Sequence, residues 1–444
     1  MNKPIIIQDV LYGREAVLDR EIYNLNEVKI VVTTMIHELN NQLIPAVESY
    51  LSQTNKINSV MLIIDDGTSN ISIDEENIYV VKIPKCDIAR GRNFANEICR
   101  RIFPDDSWIC RLDADDTFYA NNTLDQIYQQ VMHLDIKWAL AGNDLKLFGE
   151  KIDRDNPVDI QFKQQQYIIS RLKGMADGNK SAELPSCNLW KKNAFRIYYP
   201  EVDSGEDHWL VAKLLLKYQN CGHILNGLKY ANYHLQGDNT QDNKKSGRYT
   251  KSRKSLYNSF NEDTTVEKCL DWGLEGMVFT SADKVVKKFY NFSISDEQVK
   301  WLKSIPNAPI LDVKWEKLNG LWVAKSKLQL RVNPNEVTRE QISKFITSCL
   351  ENRIVFLNVN RENMFIDQNN LLKCLDIGTS IVPFKPQFFR DMCLRLFACF
   401  VLKISDYDLS KRTLIFRNNI EEMKKFEGFE EFYSREMQLY NLNR

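Results

Sequence analysis

The stretch Trp108-Ile-Cys-Arg-Leu-Asp-Ala-Asp-Asp-Thr-Phe118 places three carboxylates, Asp113, Asp115 and Asp116, directly behind an apolar run. Carboxylates this close repel one another unless something positive sits among them. A divalent cation carrying phosphates is the simplest such partner, because hard cations take oxygen ligands. A second acidic group, Asp65-Asp66-Gly67, ends the apolar run Val60-Met-Leu-Ile-Ile64. Arg90, Arg92 and Asn93 stand near the start of a helical segment from Ile88 to Phe103, where basic side chains can reach a diphosphate. Glu206 and Asp207 open another helical segment, at an end whose dipole favours negative charge. A carboxylate there, within reach of a hydroxyl, can act as a general base. Each group also has a plain structural role open to it: a turn or helix cap for the acids and a surface salt bridge for Arg92.

The elements that must hold these residues follow from periodicity. Val28 to Thr34, Val60 to Asp65, Ile78 to Ile83 and Trp108 to Leu112 read as strands, with helical patterns after the first and before the last. The acids sit where strands end. Such alternation implies a mainly parallel α/β sheet, whose ligands bind outside the carboxyl ends of the strands.

The order strand, helix, Ile63-Ile-Asp-Asp-Gly-Thr-Ser69, then Gly91-Arg-Asn93, then Leu112-Asp-Ala-Asp-Asp116 resembles the nucleotide-binding half of family 2 glycosyltransferases. The resemblance implies a GT-A fold, a Rossmann-like mixed sheet with helices on both faces. It implies that Asp65 or Asp66 holds the nucleotide base, commonly uracil, and that Arg92 approaches the donor. By the same resemblance Asp113 touches the ribose or the metal, and Asp115 binds Mn²⁺ or Mg²⁺. Glu38 matches a base-holding position, although Met35-Ile-His-Glu38 replaces the family's Pro-x-Tyr-Asn. Glu206-Asp-His-Trp209 resembles the family's catalytic acid pair, which makes Asp207 the base and the reaction inverting. Ser186 to Phe195 resembles the strand before the acceptor loop. A late histidine, His234 ahead of His208, is a candidate to complete the metal site.

From residue 238 the chain turns polar and then basic, which reads as a linker. Beyond it, Trp272-Gly-Leu-Glu-Gly-Met-Val278 carries the later part of a kinase glycine-rich loop, and Lys287 lies on an apolar strand. Asn358-Val-Asn-Arg-Glu-Asn363, followed by Leu375-Asp-Ile-Gly378, resembles the catalytic loop and D-F-G motif of protein kinases and of sugar or aminoglycoside phosphotransferases. The resemblance makes Asn363 and Asp376 Mg²⁺ ligands, Lys287 the phosphate contact and Glu297 a candidate partner for it. The base position holds Asn358, and an amide cannot take the substrate proton as a carboxylate does. A pseudokinase or a minimal kinase that binds ATP and Mg²⁺ is the reading for this α+β domain.

The domains expected are an N-terminal extension (1–27), a GT-A glycosyltransferase domain (28–240), a basic polar linker (241–262) and a kinase-like domain (263–444). The 444 residues carry no net charge, with 43% hydrophobic and 27% charged residues, so no global field favours nucleic acid. The ten cysteines are scattered without a C-x-x-C pair, and no apolar run reaches the length of a membrane span. A cytoplasmic protein is expected, with at most peripheral membrane contact. Its expected partners are a nucleotide-sugar, most simply a UDP-sugar, and a glycan, lipid-linked or protein acceptor. Two other functions fit: a bifunctional glycosyltransferase and sugar kinase, or a nucleotide-binding docking protein with a pseudokinase module.

Overall fold

The computed structural model describes residues 4–11, 14–36, 43–54, 58–67, 71–147, 150–152, 165–177, 184, 189–202, 205–235, 253–254, 257, 269–272, 275–281, 284–290, 293–318, 320–327, 329, 336–404 and 412–442. The chain forms two compact units, residues 1–267 with 272–274, and residues 268–271 with 275–444.

Unit 1 is built on a mixed sheet. Its strands are β1 (Ile5–Leu11), β2 (Arg14–Leu18), β3 (Ile30–Ile36), β4 (Ser59–Asp65), β5 (Ile78–Lys82), β6 (Trp108–Arg111), β7 (Thr117–Phe118), β8 (Trp138–Leu147), β9 (Glu150–Ile152), β10 (Leu189–Lys192) and β11 (Gly222–Leu235). Its helices are α1 (Leu43–Leu51), α2 (Ile88–Ile102), α3 (Thr123–Val131), α4 (Gln165–Ala176) and α5 (Glu206–Lys217). The strands lie in the order β1-β2-β5-β4-β3-β6-β10-β8-β11-β7, with β9 pairing β8. The central four, β5, β4, β3 and β6, run parallel. Register sets Ile36 beside Asp65 and Thr33 beside Arg111, so the ends of β3, β4 and β6 share one edge.

Alternation explains how this sheet is buried on both sides. Met61 and Ile63 of β4 join the apolar cluster with Tyr50 of α1 and Ile127 of α3. Val60, Leu62 and Ile64 point the other way, to Phe94 and Ile98 of α2. Helices therefore cover both faces, as the sequence implied. Residues 1–27, to which the sequence assigned no role, supply the β1–β2 hairpin, which joins the sheet by antiparallel pairing of β2 with β5. Ala16 and Leu18 of that hairpin are buried against the α2 face.

Part of the segment read as a linker also packs. Arg253 and Lys254 are helical, and Arg253 is buried with its side chain across Gly205. A Cβ on Gly205 would stand 3.3 Å from the Arg253 Cγ, and the φ of +82° there also favours glycine.

Unit 2 begins with a five-stranded antiparallel sheet in the order β12-β13-β14-β16-β15. These strands are β12 (Cys269–Trp272), β13 (Gly276–Ser281), β14 (Lys284–Phe289), β15 (Lys314–Leu318) and β16 (Leu321–Lys327), with α6 (Asp296–Ser304) between β14 and β15. Helix α7 (Arg339–Glu351) follows, opened by a capping box. The Thr338 hydroxyl accepts from the Gln341 amide at 3.2 Å, and the Gln341 side chain accepts from the Thr338 amide at 2.8 Å. Two small antiparallel strand pairs come next. β17 (Ile354–Phe356) pairs with β20 (Ile381–Pro383), and β18 (Met364–Ile366) with β19 (Leu372–Cys374). Three helices end the described chain: α8 (Pro386–Leu396), α9 (Arg412–Met423) and α10 (Glu427–Leu442). The α+β class expected for this half is the class observed.

One glycine tests how tightly unit 1 is packed. A Cβ on Gly222, at the start of β11, would stand 1.9 Å from the indole of Trp138. Trp138 is buried and its Nε1 donates to the Tyr218 carbonyl at 2.9 Å, so the ring has little room to retreat. Gly222→Ala is expected to cost about 1–3 kcal/mol through overpacking, read as a lower melting temperature of the full chain.

Candidate functional site

The parallel strands of unit 1 deliver their charged residues to one edge of the sheet. Strand β4 ends in Asp65 and Asp66, both buried. Asp65 Oδ1 accepts from the Gly67 amide at 3.0 Å and closes the turn that Gly67 makes at φ +83°. Strand β6 is buried at every position and ends in Arg111, with Asp113 two residues on. Helix α2, capped by Asp87 on the Arg90 amide at 2.9 Å, brings up Arg92. Helix α5 starts at Glu206 behind Gly205 and adds Asp207.

These residues form one charge cluster. Arg92, only 8% exposed in its side chain, pairs with Glu206, with Asp113 at 3.3 Å and with Asp207 at 3.7 Å. Arg111 reaches Asp113 at 3.0 Å and Asp207 at 3.3 Å. Asp207 Oδ1 also accepts the His208 amide at 2.8 Å. Arg92 and Asp207, chosen from the sequence, thus meet, with Asp113 between them. Glu206, noted in the sequence as the other member of the acid pair, is the Arg92 partner, and Arg111 was not chosen. An arginine in a wholly buried apolar strand was the signal for Arg111. Burial pushes the Glu206 carboxyl up to about 7, outweighing the pull of Arg92 and assisted by neighbouring Asp207.

Other residues take supporting parts. Arg90 reaches Glu201 at 3.0 Å, and the Asn93 side chain exchanges hydrogen bonds of 2.9 and 2.8 Å with the Tyr199 backbone. The His208 Nδ1 lies 2.8 Å from the Leu184 carbonyl, a structural contact. His234 lies beside the acidic loop. Its amide donates to Asp116 Oδ1 at 3.0 Å, and its Nε2 is 3.1 Å from the Thr117 hydroxyl. Glu38 lies outside the described residues.

The three acids of the loop differ in what neutralises them. Asp113 has both arginines, and Asp116 is buried against the backbone of His234. Asp115 is partly exposed and makes no ion pair among the described residues; burial and the Asp113 charge push its carboxyl up to about 6. Of the three acids, Asp115 is the one left to meet a cation. Among the described residues no group of three or more His, Cys, Asp and Glu is arranged to hold a metal by itself. The donor set instead fits an ion held by one or two carboxylates and completed by phosphate oxygens and water, the manner usual for Mg²⁺.

In unit 2 a second cluster forms around Lys287 on β14. Its Nζ lies 2.8 Å from Asp376 Oδ1, 3.0 Å from Glu275 Oε2 and 2.9 Å from the Ile377 carbonyl. Burial opposes this charge, but Asp376 and Glu275 outweigh it, so the Lys287 pKa is raised and that of Asp376 lowered. The Asn358 amide donates to Asp376 Oδ2 at 3.4 Å, and the Asn363 amide donates to the Asn358 carbonyl at 3.1 Å. Lys287, Asn358, Asn363 and Asp376 are therefore joined in one network. The carboxylate beside Lys287 is not Glu297, whose own backbone amide and Ser295 hold its pKa down at the exposed start of α6. It is Glu275, inside the glycine-rich stretch.

No protein-family profile matches the sequence, and no curated protein matches it. Among solved structures the chain is similar to S. aureus TarS, at 10% identity and a TM-score of 0.36, over 68% of this chain and 72% of that one. It is also similar to the mannosyltransferase PcManGT from Pyrobaculum calidifontis, solved with GDP-Man and Mn²⁺, at 10% identity and a TM-score of 0.30, over 46% and 56%. A third likeness, to WbdD, has 14% identity and a TM-score of 0.22, over 28% and 34%.

The Glu206 carboxyl gives a pH test of the cluster. Its folded value of about 7 lies above the ordinary 4.5, so the folded state holds the proton more tightly. That stabilisation is complete below about pH 4.5 and is lost as pH rises through about 7. The metal-free protein is expected to melt lower at pH 8 than at pH 5.5, and Glu206→Gln is expected to flatten that slope. An unchanged slope in the variant would assign the dependence elsewhere.

Proposed function

We propose that unit 1 is a metal-dependent, inverting GT-A glycosyltransferase. It moves a sugar from a nucleotide-sugar, a UDP-sugar in this reading, to a hydroxyl of a glycan, lipid-linked or protein acceptor in glycan or surface-polysaccharide synthesis. The observation that carries the reading is the cluster at the sheet edge. Two buried arginines from β6 and α2 and three acids from α5 and the loop after β6 meet beside Asp115, which has no cationic partner among the described residues.

Roles follow from position. Asp65 or Asp66 receives the base at the end of β4, and Asp113 the ribose. Arg92 is the charge clamp for the leaving diphosphate, because a guanidinium already held by three acids is preorganised. Asp115, with His234 beside its loop, would hold Mn²⁺ or Mg²⁺, which supplies Lewis-acid neutralisation of the diphosphate. Asp207 takes the proton of the acceptor hydroxyl on a carboxylate oxygen. Arg111, 3.3 Å away, orients that carboxylate. Attack from the face opposite the leaving group inverts the sugar carbon.

A second reading concerns unit 2. The Lys287–Asp376 pair, with Asn358 and Asn363 bonded behind it, favours a kinase-like nucleotide site that uses ATP and Mg²⁺. Asn358 spends its amide on Asp376 and has no carboxylate with which to accept a proton, so this unit binds rather than phosphorylates.

Nucleotide release from UDP-, GDP- and CDP-sugars, with and without Mn²⁺ and candidate acceptors, tests the first reading. Wild type is expected to turn over one donor only with metal, and Asp115→Ala to lose that turnover. Asp207→Asn is expected to lower turnover by about 10²–10⁴-fold, the usual size of general-base catalysis, while still binding donor. An active Asp207→Asn variant would remove the base assignment, and a fully active Asp115→Ala variant the metal assignment.

A further inference from the structure

Lys287 in unit 2 has no hydrogen left to give. An ammonium has three donors. Here they face Glu275 Oε2 at 3.0 Å, Asp376 Oδ1 at 2.8 Å and the Ile377 carbonyl at 2.9 Å. Two carboxylates already surround one cation, so the cluster carries an excess negative charge. A phosphate arriving at Lys287 would meet that excess and would need one of the three acceptors to leave.

Of the three, Glu275 is the added one. Its carboxylate is buried and fitted on every side. Oε1 accepts the Thr379 amide at 2.9 Å and also bonds the Thr379 hydroxyl. A Cβ on Gly378 would stand 1.8 Å from Oε2, so only glycine there admits this carboxylate. The Glu275 carbonyl is fixed as well, accepting from the Tyr290 amide at 2.9 Å and from the Ser293 hydroxyl. The backbone is anchored, so displacing this carboxylate means turning the side chain and giving up its bonds to Lys287 and Thr379.

We infer that Glu275 decides whether unit 2 can take a nucleotide: its carboxylate occupies the place on Lys287 that a nucleotide phosphate requires, and the nucleotide binds only when that carboxylate is displaced. This rests on reading unit 2 as a nucleotide site. The residue differs from an ordinary orienting partner of the lysine, because an orienting partner strengthens phosphate binding and Glu275 opposes it.

Calorimetry with Mg-ATP on the full chain tests the inference in wild type, Glu275→Gln, Thr379→Val and Lys287→Met. Glu275→Gln keeps the shape and removes the charge. It is expected to bind Mg-ATP on the order of tenfold tighter, as when about nine-tenths of molecules are closed and become competent. Thr379→Val, which removes only the hydroxyl grip on Glu275, is expected to shift affinity the same way by less. Lys287→Met is expected to abolish binding. Near-ultraviolet circular dichroism checks folding, and Thr379→Val carries the test if Glu275→Gln does not fold. Equal or weaker binding by the Glu275→Gln variant, beside measurable binding by wild type, would overturn the inference and leave the nucleotide site standing. No binding by wild type, Glu275→Gln or Thr379→Val would overturn the nucleotide reading and the inference with it.

Discussion

Buried positive charge is the constraint on which unit 1 depends. Arg92 on α2 and Arg111 on β6 are nearly excluded from water, and each must be met by acids in fixed positions. Those acids come from elsewhere: Asp113 from the loop after β6, Glu206 and Asp207 from α5. Breaking such a buried pair from one side costs about 3–5 kcal/mol, because it leaves a charge without a partner. The start of α5 is therefore held against the sheet edge by charge as well as by its apolar face. The same constraint fixes the position of Asp207.

What the sequence made legible was local. Strands β3 to β6 were readable because apolar runs end in acids, and Leu43 and Tyr50 announced α1 by helical spacing. Asp65 and Asp207 drew notice in the sequence because they stand at the ends of elements, and Asp113 and Asp115 because they follow a strand. Arg111 was passed over because its partner Asp207 lies 96 residues away, and spacing reports only neighbours on the same helix or strand. Glu275 was passed over for the same reason. Its bond to Lys287 spans 12 residues across a hairpin, while Glu297 had the more familiar place on a helix. The β1–β2 hairpin was missed because its pairing with β5 depends on a distant edge that no local pattern reveals.

Both clusters are built to the same electrostatic plan, each with more acids than bases. In unit 2 one lysine faces Glu275 and Asp376. In unit 1 two arginines face Asp113, Glu206 and Asp207, and Asp115 and Asp116 stand beside them. Burial pushes Glu206 and Asp116 towards their neutral forms, which brings the unit 1 cluster close to balance without any ion. The charge left over falls on Asp115, which has no cationic partner among the described residues. Held protons and a bound cation are then alternative ways to settle one excess. Binding a divalent ion at Asp115 would favour ionisation of its neighbours and release protons, so affinity for that ion has to rise with pH. A site arranged in this way favours a cation that arrives already carrying phosphate. The arginines can then exchange part of their hold on the acids for the diphosphate, without leaving either sign of charge unmatched.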